Sequence, residues 1–119
     1  MGRSYKDLVV WQKAMELVTE IYRETAEVHR DEMYGLTSQV RRAAVSVPSN
    51  IAEGQGRLSE NEFRHFLGLA RGSLMGVETQ LKIAENLGYL QQVPSQKLLK
   101  STAEVGKILN GLIASLSSE

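Results

Sequence analysis

The chain has no cysteine, and only two prolines and two histidines in 119 residues. Missing thiols exclude a disulfide framework, a thiolate nucleophile, an iron–sulfur cluster and any cysteine-ligated zinc. Two histidines leave few ligands for another metal, so no metal or cofactor is expected. Aromatic residues make up only 6%, and 14 basic residues balance 14 acidic ones. Overall charge therefore attracts neither nucleic acid nor an anionic membrane, and a charged partner would need a local patch. No apolar run approaches the eighteen or so residues of a membrane span. The segment Met1–Lys6 lacks the apolar core of a signal peptide and carries Lys6 where a myristoylation motif needs Ser or Thr. A cytoplasmic location with no membrane partner is the expectation.

What is present suits one soluble domain over residues 1–119: 42% hydrophobic and 24% charged residues can bury a core. Charge is mildly uneven. Residues 36–75 hold five basic and three acidic groups, a local excess of +2.

The hydrophobic period is 3.6 almost throughout. Trp11, Ala14, Met15, Val18, Ile21, Tyr22, Thr25 and Val28 predict one amphipathic helix over about 8–29, ending before Gly35. Leu36, Val40, Ala43, Ala44, Val47 and Ile51 predict a second over about 36–54. Pro48 lies inside it and costs about 3 kcal/mol in a helix interior. The stripe continues from Val47 to Ile51 in register, which reads as a kink in one helix, with two short helices as the alternative. Ser59 and Glu62 form a capping-box pattern that opens a third helix over about 60–87. Its stripe is Phe63, Phe66, Leu67, Ala70, Leu74, Val77, Leu81 and Ala84, and Gly88 caps its end. Ser95 reads as the N-cap of a fourth over about 96–116, with Leu98, Thr102, Val105, Leu109, Leu112 and Leu116 on its core face. Short connections between four such helices predict an all-α, up-down-up-down antiparallel four-helix bundle.

Two surfaces remain after the core is assigned. On the second helix Gln39, Arg42, Ser46, Asn50 and Glu53 form a polar face, and Val45, Pro48 and Ala52 form a small apolar one beside Arg41. On the third helix Gly68, Gly72 and Gly76 recur every four residues. Each costs about 1 kcal/mol relative to alanine, so three in line suggest that another backbone comes close, either within the bundle or from another subunit. A tolerant exposed face is the plainer alternative. The polar face reads either as a structural network or, with Arg57, Arg64 and Arg71, as a set of phosphate contacts.

Catalytic readings fail on spacing. A di-iron bundle needs two Glu-x-x-His motifs, and this chain has one, Glu62-Phe-Arg-His65, placed off the core face. His29 reads as an exposed residue at a helix end. No histidine shares a face with Ser46 or Ser49, and Gly54-Gln-Gly56 lacks the lysine of a phosphate loop. The chain reads as a non-enzyme.

The stretch Gln39-Val-Arg-Arg-Ala-Ala-Val-Ser46-Val-Pro-Ser-Asn50-Ile-Ala-Glu53-Gly54-Gln-Gly-Arg57 resembles the signature of the 23S rRNA intervening-sequence protein family. Leu8-Val-Val-Trp11, Glu62-Phe-Arg-His-Phe-Leu67, Ala70-Arg-Gly-Ser73, Glu78-Thr-Gln-Leu81 and Leu87-Gly-Tyr-Leu90 extend the resemblance over about residues 5–90. It implies a cytoplasmic bacterial four-helix bundle that assembles as a ring-shaped homopentamer. A related branch, the accessory proteins of diversity-generating retroelements, binds nucleic acid and a reverse transcriptase through a basic surface. Two features depart from the pattern. Gly76 stands where the family usually has glutamate, and the zero net charge lacks that branch's basic character. The expectation is a non-enzymatic oligomeric binding or scaffold subunit that contacts RNA or a nucleic-acid enzyme through Arg41, Arg42, Arg57, Arg64 and Arg71. Its oligomer contacts would be Val45, Pro48, Ala52, Gly68, Gly72 and Gly76. The alternative is a protein–protein interaction module with no nucleic-acid contact.

Overall fold

A computed structural model describes residues 4–27 and 35–116. After a single 3-10 turn at Tyr5–Asp7 come four helices: α1 (Val9–Glu24), α2 (Leu36–Gln55), α3 (Glu60–Asn86) and α4 (Gln92–Ser115). Each packs on its chain neighbours, and α1 closes the square against α4. The result is the expected antiparallel four-helix bundle, about 45 × 21 × 20 Å.

The core fills from one face of each helix. Leu17 and Ile21 of α1, Val47 and Ile51 of α2, Leu67 and Leu81 of α3, and Leu98 and Leu109 of α4 are all buried. The stripe of α1 is rotated from the sequence expectation. Val10, Ala14, Leu17 and Ile21 face inward, whereas Met15 and Tyr22 are exposed and Trp11 and Val18 are only partly covered. On this helix apolar residues occupy more of the circumference than one core contact needs, so periodicity alone cannot orient it. Val28 and His29 lie outside the described residues.

Pro48 does not divide α2, which is continuous from Leu36 to Gln55 with the proline buried inside it. The ring deprives the preceding turn of one backbone donor, and polar side chains nearby bond that turn. Ser49 Oγ donates to the Val45 carbonyl at 2.8 Å, and Asn50 Nδ2 donates to the Ser46 carbonyl at 2.8 Å.

Of the helix ends marked in the sequence, the two of α3 follow local rules and the start of α4 does not. Ser59 Oγ accepts from the Glu62 amide at 3.1 Å and caps α3. Gly88, at φ +79°, takes the left-handed position after α3. Its amide donates to Glu85 O and that of Tyr89 to Ala84 O, the paired bonds of a Schellman end. The exception is Ser95. α4 begins three residues earlier, at Gln92 after an extended Gln91. Pro94 sits in the first turn, where a missing amide costs nothing. Ser95 is instead fully buried, and its hydroxyl donates to Glu85 Oε1 at 2.8 Å, fastening α4 to the end of α3. Ser95→Ala is expected to lower stability by about 1.5 kcal/mol, the worth of a hydrogen bond to a charged group, read from the thermal midpoint.

Candidate interaction surfaces

Each polar residue singled out by the sequence has a definite place. Arg41, on the α1 side of α2, is engaged. Its Nε donates to Thr25 Oγ1 at 2.9 Å, its NH2 to Tyr22 O at 3.3 Å, and its guanidinium lies 4.5 Å from the centre of the Tyr22 ring. Arg57 pairs with Glu53 at 2.8 Å and stacks 4.6 Å over Phe66, bracing the α2–α3 turn. Arg71 donates to Asn110 Oδ1 at 3.2 Å, across to α4. Among the described residues only Arg42 and Arg64 of the five are exposed and without a partner. Arg41, Arg57 and Arg71 point their contacts in three directions, to α1, α3 and α4.

The polar face of α2 borders α3. Ser46 donates to the Ala43 carbonyl and pairs with Ser73 Oγ of α3. Asn50 is half-buried in the same seam, while Gln39, Arg42 and Glu53 reach the outside. The inner half of this face is thus a joint between helices.

The small apolar face of α2 borders α1, and there the bundle is incompletely filled. Trp11, Met15 and Val18 on one wall and Val45, Pro48 and Ala52 on the other enclose an open groove of about 330 Å³, with Tyr5 and Ser49 at its edges. Tyr5 packs edge-on against Trp11, their ring centres 5.3 Å apart, and shapes one end. Sequence reasoning found the α2 wall but assigned Trp11, Met15 and Val18 to the core. The signal that would have separated them is the shorter polar arc of α1.

The glycine line of α3 answers to nothing inside the subunit. A Cβ built on Gly68 or Gly72 meets no atom within 4 Å, and one on Gly76 meets only Gln80 Nε2 at 3.9 Å. The glycine that close packing requires is Gly54, where a Cβ would lie 2.6 Å from Phe66 Cβ and 3.1 Å from Phe63 Cδ1. At that point α2 and α3 approach too closely for a side chain, directly before their short turn.

Glu62 and His65 are exposed on α3, and His65 stands edge-on to Phe66. Among the described residues no three His, Asp or Glu side chains are grouped to hold a metal. Nor is any described helix long and apolar enough to cross a membrane.

The 23S rRNA-intervening sequence protein family matches residues 6–111. A solved structure of similar fold is a protein of unknown function from the S23 ribosomal protein family of Bacteroides thetaiotaomicron VPI-5482. The two are 22% identical with a TM-score of 0.82, over 88% of this chain and 98% of that one. No curated protein matches the chain.

Proposed function

The chain belongs to the 23S rRNA-intervening sequence protein family, and from that premise we propose that it is a non-enzymatic, self-associating scaffold subunit of the cytoplasm. The observation that carries this reading is the open groove between α1 and α2. Met15 and Val45 stay exposed on its two walls, and apolar side chains left together at a groove of this kind are what a protein contact would cover. The ring of five expected from the family resemblance is the assembly this reading takes, with heterologous interfaces that close on themselves.

Protein–protein contact is favoured over nucleic acid by how the arginines are used. Binding a phosphate backbone needs cations free to displace counterions, and Arg41, Arg57 and Arg71 already hold partners in the subunit. A ring would repeat Arg42 and Arg64, and multivalency would multiply whatever attraction they offer.

Two measurements decide between these readings. Sedimentation at tens of micromolar is expected to show an oligomer, and Gly72→Leu is expected to disturb assembly while leaving the helical circular dichroism signal in place. A monomer at that concentration overturns the scaffold reading. Retention of structured RNA at low salt is expected to be negligible. Strong salt-dependent retention that falls on Arg42→Gln and Arg64→Gln would instead establish a nucleic-acid binder.

A further inference from the structure

The side of the bundle between α3 and α4, across from the groove between α1 and α2, carries a second opening. It is a shallow cleft of about 150 Å³. Leu74 and Met75 of α3 and Ala103 and Gly106 of α4 form its apolar floor. Met75 is 59% exposed there. Gly106 keeps the cleft open, since a Cβ at that position would already touch Leu74 Cδ2, at 3.4 Å.

Polar groups begin one helical turn from this floor. Arg71 is one turn from Met75, Asn110 is one turn from Gly106, and Arg71 NH1 donates to Asn110 Oδ1 at 3.2 Å. The bond orients the guanidinium without neutralising it, because its partner is an amide and not a carboxylate. With Oδ1 turned to Arg71, Asn110 Nδ2 remains a donor with no acceptor among the described residues. Lys107 is exposed on the same rim, three residues from Asn110 and four from Ala103. The one acid in the lining, Glu78, stands seven residues from Arg71 and pairs with Lys82 at 3.8 Å. Glu104 faces the other way, into a crevice between α4 and α1. One end of the cleft is therefore cationic, and the apolar floor starts a turn away.

We infer that this cleft receives the C-terminus of a partner protein whose last residue is large and apolar. The terminal carboxylate lies on Arg71 and the free Asn110 amide, and the side chain lies on Met75 and Gly106. Charge and spacing select this occupant. Within a protein, a carboxylate and a large apolar side chain share one residue only at the chain end. One helical turn, about 5.4 Å, matches the reach from that carboxylate to the tip of a leucine. A free small molecule needs a pocket of about 300 Å³ or more that surrounds it, whereas this cleft suits one anchoring residue carried by a larger body. Capture of a terminal carboxylate is a recurring mode of peptide recognition. A nucleic acid is disfavoured, because its phosphates would meet an apolar floor beside only two cations.

The test titrates N-acetyl-leucine, which stands in for the last residue, into isotope-labelled protein and follows the amide resonances. N-acetyl-leucinamide lacks the carboxylate and acetate lacks the side chain, so they are the comparisons. N-acetyl-leucine is expected to shift Met75 and Gly106 with about millimolar affinity. It is expected to bind about tenfold more tightly than either comparison, the worth of a hydrogen bond to a charged group. Arg71→Gln is expected to make the acid and the amide bind alike, and Met75→Ser to weaken both. The helical signal is expected to stay unchanged in the two variants. Absence of binding, or equal binding of acid and amide by the unaltered protein, overturns the proposal. Acetate shifting the same resonances as strongly would mean an adventitious ion only. A change in the protein's own sedimentation on Arg71→Gln or Met75→Ser would make this face a contact between copies, which also overturns the proposal while leaving the scaffold reading standing.

Discussion

Gly54→Ala is expected to destabilise the subunit by about 2 kcal/mol, although alanine is the better helix former. An added Cβ would sit 2.6 Å from Phe66 Cβ, and that atom is fixed to the α3 backbone, so it cannot swing aside as the end of a long side chain could. Relief requires α2 and α3 to part, which also loosens Phe63 and the Arg57–Phe66 stack. Overpacking of this kind costs about 1–3 kcal/mol, more than the roughly 1 kcal/mol that alanine gains over glycine in a helix. Gly68→Ala is the control. It meets nothing within 4 Å and is expected to stabilise by up to about 1 kcal/mol. Opposite shifts of the urea midpoint in the two variants are the expected result, and shifts of the same sign would mean that the α2–α3 approach can relax.

Truncating the core is expected to have the largest effect. Leu109→Ala, at a fully buried position of α4, should cost toward the upper part of the 2–5 kcal/mol range for such changes, because apolar neighbours leave the cavity dry. Leu81→Ala should cost less, though Leu81 is equally buried. It lines a small cavity of about 10 Å³ between α2 and α3 that also touches Thr25, Thr37 and Gln80. There Gln80 Oε1 is buried with no hydrogen-bond partner among the described residues. Removing the leucine opens room beside that oxygen for a water, which needs polar partners of this kind, and the bond it forms offsets part of the lost packing. Denaturant titration measures both, and equal losses would show that the enlarged cavity stays dry.

How far these features were legible in the sequence depends on how many demands act on each helix. α3 was read almost residue by residue, because one core face, a serine cap and a terminal glycine coincide along it. In α1 two demands overlap. Val10, Leu17 and Ile21 serve the core while Trp11, Met15 and Val18 line the groove, and a periodic pattern sums both into one broad stripe. Ser95 was misplaced because serine suits an N-cap and also bonds a half-buried carboxylate, and only the position of Glu85 separates the two roles. The glycines divide similarly. A repeat of three drew attention to Gly68, Gly72 and Gly76, whereas the close approach falls on the isolated Gly54, which no spacing rule marks. The family motif located the arginines but not their use, since Arg41 answers to a hydroxyl and a ring sixteen or more residues away, at the end of α1.

The way α1 is held has a consequence for the order in which the subunit forms. The α2–α3 hairpin is joined by a short turn and locked by neighbours in the chain such as Gly54 with Phe66 and Arg57 with Phe66. Little chain entropy is lost in closing it, so it is the natural early unit of folding. The side of α1 that meets α4 depends on contacts between the two ends of the chain, including Ser101 with Glu20, 81 residues apart. Those contacts close last, after α4 has been synthesised. The groove needs α1 in place to have its second wall, whereas the glycine line of α3 needs only the hairpin. A nascent or truncated chain would therefore present the glycine line of α3 before it has a groove.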